Sequence, residues 1–193
     1  MYFSKALLLA FAATAFALPH GQRVARATSC DADDDTTTDA ATTGGVLTAT
    51  TYANFQISDG VAGNALDEVN AKFPIDTSDL ANVDPTDLAI IKAARVTAEA
   101  AETDAGGFND AIDAAGGTKT TAGAALQVGK IKNKVLKLQL EVLGLQIDQA
   151  QKGTDNSDKI AEEMTKLNNN IKLDAAAAGQ TSQSVDFDGD DEP

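Results

Sequence analysis

From Val46 to Val185 the apolar side chains recur at intervals of three and four, and they do not alternate for long with polar ones. That is the period of an α-helix and not of a half-buried strand. The strongest pattern lies between Thr121 and Gln151, where two apolar stripes run side by side. Val128, Ile131, Val135, Leu138, Val142 and Leu145 form one; Leu136, Leu140, Leu143, Ile147 and Ala150 form the other. At about 100° per residue the stripe centres stand about 140° apart. The segment therefore predicts a long helix with neighbours on two sides. Lys130, Lys134, Lys137, Glu141 and Asp148 fall opposite both stripes and are expected to face solvent. Lys132, Gln139 and Gln146 lie between the stripes at heptad spacing. They predict either a polar seam that fixes the register of packed helices or a row of polar groups in a ligand-holding interior, and the seam is the simpler reading.

Shorter helices flank this one. Val61, Ala65, Leu66, Val69 and Phe73 share a face of a helix expected to start near Ser58 and to stop at Pro74. Asp84 as cap, Pro85 at the first position and Asp87 in the first turn mark a second start, followed by the face Leu88, Ile91, Ala94, Ala98 and Ala101. Phe108, Ala111, Ile112 and Ala115 sit between two glycine pairs and predict a short piece. After a turn containing Gly153, Asn156 or Ser157 can cap a last helix that carries Ile160, Met164, Leu167 and Ile171 and finishes near Gly179. The short turn makes it antiparallel to the long helix. The fold expected is an all-α antiparallel bundle of about four to five helices with one long central helix and disordered acidic tails.

The ends read differently. Residues 1–17 combine Lys5, an apolar run from Ala6 to Ala17 and small residues at Ala15 and Ala17, which is the pattern of a secretory signal peptide. The run is shorter than the ~20 residues a membrane span needs, so no membrane span is expected. Residues 18–50 are rich in Thr and Asp and poor in large apolar side chains, so they are expected to be disordered. Thr36, Thr37, Thr38, Thr42 and Thr43 would suit O-glycosylation. The bundle is then residues 51–185, and residues 186–193 an acidic disordered tail.

Composition removes most chemistry. The chain has 29 Asp+Glu against 15 Lys+Arg, a formal charge of −14, with one His, one Cys and no Trp. His20 and Cys30 both precede the bundle. Within it, Ser-His-Asp and Cys-His catalysis and the usual nitrogen and sulfur ligands of zinc are therefore absent. Cys30 has no intramolecular partner; an incidental exposed thiol is the simpler reading, and a Cys30-linked dimer is the alternative. Glu99 with Glu102, Asp110 with Asp113, or Glu162 with Glu163 could pair as acid and base. Such a pair also needs a cleft that positions a substrate, and Tyr52 is the one Tyr or Trp beyond the leader that could stack on a sugar ring. Solvated helix faces explain these carboxylates more simply. Gly123 to Lys130 has the wrong spacing for a phosphate loop and lies in an amphipathic helix. Asp186 to Glu192 resembles part of a calcium loop with its glycine misplaced, and reads as a solubilising tail. Lys130, Lys132, Lys134 and Lys137 form the one basic cluster. Residues 46–113 hold three cations against twelve carboxylates. The cluster is therefore expected to complement the other half of the bundle, and nucleic acid is not an expected partner. No catalytic residue, cofactor or metal site is expected.

The runs TYANFQISDGVAGNALDEVNAKFPID, DLAIIKAARVTAEAAETDAGGFNDAIDAAGG, GAALQVGKIKNKVLKLQLEVLGLQI and AAAAGQTSQSV, in this order, resemble the uncharacterised fungal small secreted proteins, a family of effector candidates. The resemblance covers nearly all of residues 50–185. It implies a secreted, extracellular, non-enzymatic fungal protein that interacts with a protein or cell-wall partner, and it supplies no functional residues. A looser architectural likeness is to fungal hydrophobic-surface-binding proteins and cell-wall mannoproteins, helical bundles that take lipids. It implies the alternative, a binder of lipid or of a hydrophobic surface, in which the bundle opens and exposes the stripes of the long helix.

Overall fold

The computed structural model describes residues 44–189. In chain order the elements are α1 (Tyr52–Phe55), β1 (Gly60–Val61), α2 (Ala65–Lys72), a 3-10 turn at Leu80–Asn82, α3 (Pro85–Thr103), α4 (Phe108–Ala114), α5 (Thr121–Lys152), α6 (Ser157–Ala176) and β2 (Thr181–Ser182). The fold is an antiparallel helical bundle around α5. No helix among the described residues is long and apolar enough to cross a membrane.

Local chemistry sets the helix ends. Asp84 accepts a hydrogen bond from the Thr86 amide at 2.7 Å ahead of Pro85, which starts α3 where the sequence predicts. Thr120 Oγ1 accepts from the Gly123 amide at 3.0 Å and starts α5. Gly153 stops α5 at φ 67°, a left-handed conformation that glycine adopts without steric cost. Asn156 occupies the N-cap position of α6, but its side chain donates to the Leu145 carbonyl at 3.1 Å instead of capping.

The core is built from both stripes of α5. Val135, Leu136, Leu140 and Ile147 are sealed from solvent, as are Ala94, Ala98 and Ala101 on the facing side of α3. Alanines at the contact let the α3 and α5 backbones approach closely. No residue from Ala125 to Gln149 is fully exposed, so α5 is enclosed on every side. Apolar cover comes also from outside the long helices. Tyr52 and Phe55 of α1, Ile57, Phe73 and Phe187 all join the same core. The area that alanine-rich neighbours leave uncovered is filled by these irregular segments.

Four expectations are corrected. The helix expected to start near Ser58 is α2, which starts at Ala65. Gly60 and Gly63 adopt φ of 83° and 120°, Ser58 is fully buried, and Gly60–Val61 pairs antiparallel with Thr181–Ser182. The start of α2 is fixed from a distance: the buried Asp174 carboxylate on α6 accepts from the amides of Gly63 and Ala65 at 3.0 and 2.9 Å. Residues 44–50, expected to be disordered, form a strap against α3. Its Val46 and Leu47 amides donate to the buried Asp87 carboxylate at 2.9 and 2.8 Å. Residues 186–189, expected in the disordered tail, pack on the bundle. Phe187 is 9% exposed and meets the Tyr52 ring edge to face at 6.0 Å. Lys130, Lys134, Lys137, Glu141 and Asp148, expected on a solvent face, lie instead along the α3–α5 and α5–α6 seams.

The arm that follows α6 is held by its backbone. After Gly179, β2 pairs with β1, the Gln183 amide donates to the Ala125 carbonyl at 3.1 Å, and the Ser184 amide donates to Asp59 at 2.8 Å. Gly129 of α5 lies under this crossing. A β-carbon there would stand 2.0 Å from the Gln183 carbonyl oxygen.

Candidate functional site

The strap, the end of α2 and the face of α3 enclose a groove of about 200 Å³. Its walls are Leu47, Phe55, Phe73 and Pro74, with Ile90 and Ala94 of α3 as part of the lining. The strap stays in place because Asp87 points back from the first turn of α3 to take its two amides. Lys72 stands on the rim and donates to the Asn54 carbonyl at 2.6 Å. No carboxylate among the described residues lies within ion-pair distance of it. Thr48, Ala49 and Thr50 have backbone amides with no protein acceptor among the described residues. Val46 itself is 64% exposed.

Past Val46 and Pro74, which line both, the groove continues into a second hollow of about 290 Å³. Asp76, Asp79 and Asp84 border it. Each carboxylate takes only local hydrogen bonds: Asp76 from the Ser78 hydroxyl and amide, Asp79 from Asn82, Asp84 from Thr86. The Ser78 hydroxyl holds the Asp76 carboxyl below the usual carboxylate range. None of the three has a cationic partner among the described residues. The groove is thus apolar in the middle, acidic at one end and cationic at the other.

The carboxylate pairs named from sequence are placed in structural roles. Glu102, nearly buried, meets Lys134 at 2.9 Å and Lys137 at 3.5 Å, with Lys130 at 3.8 Å. Glu99 pairs with Arg95 and with Lys137. Arg95 and Lys159 hold Glu141 at 3.1 and 3.0 Å. Lys152 and Lys92 hydrogen-bond Asp148 and keep its carboxyl below the usual range. Lys130, Lys134 and Lys137 therefore neutralise α3 while Lys132 turns to Glu68 of α2, the complement that the charge segregation predicts. Asp110 accepts from the Gly106 amide at 3.0 Å, and Glu162 and Glu163 both pair with Lys166. Gly123 to Lys130 lies within α5, where the first glycine allows the close approach of Gly117.

The heptad row divides. Lys132 is fully buried and its ammonium meets the carbonyls of Asp59 and Val61 and the Glu68 carboxylate at 2.8, 3.2 and 2.9 Å. It ties the β1 turn to α2 and belongs to the seam. Gln139 is only partly buried and reaches Asn70 at 3.5 Å. A second buried polar pair was not read from sequence: the Tyr52 hydroxyl donates to Asn133 Oδ1 at 2.9 Å, and Asn133 donates to the Ala98 carbonyl at 2.7 Å.

Burial pushes the Tyr52 phenol up to about 12 from an ordinary value of 10.0. The folded pKa lies above the unfolded one, so the native state keeps its proton over this window while the unfolded chain loses it. Stability is intact below pH ~10 and falls as pH rises toward 12. In a Tyr2→Phe background, where Tyr52 is the one phenol, phenolate absorbance is expected to rise near pH 12 in the folded protein and near 10 in denaturant. Coincident titrations in the two states would contradict the burial.

His20, Cys30, the threonines from Thr36 to Thr43 and the leader at 1–17 lie outside the described residues, as do the last four positions. The expectations attached to them, including the Cys30-linked dimer, fall there. Among the described residues no group of three His, Cys, Asp or Glu side chains gathers as metal ligands. Residues 47–186 match the family described as Domain of unknown function (DUF8454). The chain belongs to this family. The DUF8454 match starts within the strap and ends beside Phe187, so it takes in both irregular segments along with the helices. Comparison with curated proteins and with solved structures finds no match.

Proposed function

We propose that this DUF8454 protein is a secreted, non-enzymatic interaction protein of a fungus, of the effector or cell-wall-associated kind. The observation that carries the reading is how its buried polar groups are used. Asp87, Glu102, Lys132, Asn133 and Asp174 each bind another part of the same chain. Such groups stabilise one fold and are committed to it, whereas a reactive site keeps a polar group poised for substrate. The Ser58 hydroxyl is buried without a hydrogen-bond partner among the described residues but lines neither hollow described above, so surface recognition is the route that this use of polar groups supports. Secretion is supported by the apolar run from Ala6 to Ala17 behind Lys5, and the fungal setting by the resemblance of the four runs quoted above.

Expression of the full chain in a filamentous fungus tests this. The expected product is in the medium, begins after Ala17, and sediments with purified cell wall or with a host surface fraction. Retention of the uncleaved chain inside the cell would refute secretion. A cleaved protein that hydrolyses a wall polymer would refute the non-enzymatic reading.

A second reading, binding of lipid or of a hydrophobic surface, is favoured by the apolar groove of about 200 Å³. Both stripes of α5 are covered in the folded bundle from Val128 to Ile147, so that reading no longer needs the bundle to open; it needs the groove. Native mass spectrometry of the secreted protein decides it. A lipid adduct supports it and a clean apo mass removes it.

A further inference from the structure

We infer that the groove beneath the strap docks a segment of a partner protein that carries one large apolar side chain with lysine or arginine on one flank. The inference rests on the interaction reading above and adds a place and a ligand chemistry.

The groove is a single path with three sections. Leu47, Phe55, Phe73 and Ile90 line a hollow of about 200 Å³ that is closed on one side by the strap. A hollow this size is smaller than the ~300–1,000 Å³ usual for drug-sized ligands, and it suits one side chain inserted as an anchor. At one end, Asp76, Asp79 and Asp84 present carboxylates with no cation of their own. The contrast is with the carboxylates at the α3–α5 contact. The carboxylates Glu99, Glu102, Glu141 and Asp148 are all paired with Lys or Arg. The three by the groove are not, although α5 spends its lysines neutralising α3. Negative charge left unbalanced beside an apolar hollow is complementary to a cation beside an apolar anchor. At the other end Lys72 repels a second cation, so the basic residues lie on one side of the anchor only. That asymmetry sets the direction of the bound segment.

The strap supplies the third element. The amides of Thr48 and Thr50, residues that line the groove, are unpaired among the described residues, and an extended chain can use them as it would a sheet edge. The strap itself is fixed by Asp87, so the edge is formed before the partner arrives and little ordering cost remains.

The test is nuclear magnetic resonance titration of the full chain with the synthetic peptide acetyl-Gly-Ser-Phe-Lys-Arg-Lys-Gly-Ser-amide. Expected are amide shifts confined to residues 46–50, 71–76 and 90–94. Replacing the peptide's Phe by Ala is expected to weaken binding by about tenfold or more, as loss of an anchor side chain does. Asp76→Asn together with Asp79→Asn, which keep the local turns, is expected to weaken it about fivefold, the range of two exposed charge pairs. Ala71→Trp, at an exposed position on the rim, is expected to abolish it by filling the hollow. Shifts that map elsewhere, or equal affinity for the Phe and Ala peptides, overturn the groove and leave the interaction reading standing. Equal shifts with octyl glucoside assign the hollow to lipid, and shifts produced by raising the protein concentration alone assign it to a second copy; either overturns the proposal. Failure of the interaction reading itself is seen separately, in the secretion and sedimentation experiment.

Discussion

Gly129→Val is expected to lift the C-terminal arm off the bundle and to lower stability by about 3–5 kcal/mol. The physical cause is a collision with backbone. A β-carbon at position 129 would stand 2.0 Å from the Gln183 carbonyl oxygen and 3.1 Å from that of Ser58. Neither atom is the free end of a side chain, so the arm must move as a unit. Forced overpacking costs about 1–3 kcal/mol. Moving the arm also withdraws Phe187 from beside Tyr52, and losing a buried phenylalanine costs about 3 kcal/mol or more. Gly144 on the same helix is the control. Its β-carbon would meet Ile91 and Lys92 side-chain atoms only at 3.9 Å. Gly144→Ala should therefore be neutral or stabilising by up to about 1 kcal/mol, since alanine is the better helix former. Urea unfolding followed by circular dichroism gives the midpoints, and limited proteolysis within residues 180–189 reports the arm. A Gly129→Val protein with an unchanged midpoint and a protected arm would show that the arm does not cross α5 as described.

The long-range and the local parts of this fold were legible to different degrees. Periodicity found α3, α5 and α6, because each buries a stripe that recurs every turn and each has a start or stop signal within four residues. Periodicity misplaces the start of α2 because its cap is not local. Asn64 makes no side-chain cap bond, and the acceptor for the first amides is Asp174, which has an ordinary polar position in the pattern of α6. The lysines of α5 read as solvated for a related reason. A charged side chain opposite two apolar stripes looks solvated from one helix alone, and only the carboxylates of α3 show it to be a third contact face.

The groove was less legible still. Val46 and Leu47 sit at the end of a Thr- and Asp-rich run, where two apolar residues cannot outweigh the entropy of ordering a tail. What orders them is a single buried carboxylate, Asp87, which also reads as a routine first-turn anion of α3. A signal was present in the sequence: Asp84 already caps α3 and makes the first-turn dipole argument sufficient, so Asp87 was an acid without a local need. Phe187 carried a similar signal, as an aromatic residue in an otherwise acidic terminus. An aromatic side chain placed among solubilising charges is worth treating as an anchor.

Asp174→Ala carries the second large expected effect, about 3 kcal/mol of stability. The carboxylate is 3% exposed and accepts from two amides, Gly63 at 3.0 Å and Ala65 at 2.9 Å. Hydrogen bonds to a charged group contribute about 1.5–3 kcal/mol each, and alanine leaves both donors without a partner. Asp174→Asn should recover little. Its carboxamide offers one acceptor oxygen and an NH2 that only donates, and that NH2 faces an amide that needs an acceptor. Asp155→Ala is the matched surface control, since Asp155 accepts the Ser157 amide in the exposed turn before α6; its loss should stay near 1 kcal/mol. The effect of Asp174→Ala reaches beyond α2 itself. Phe73 and Lys72 end that helix and line the groove, so loosening its start should speed hydrogen exchange at the groove wall while exchange in α3 and α5 changes less. If the groove wall keeps wild-type protection while global stability falls, α2 is held by the core contacts of Val69 and Phe73 and the remote cap only sets its register.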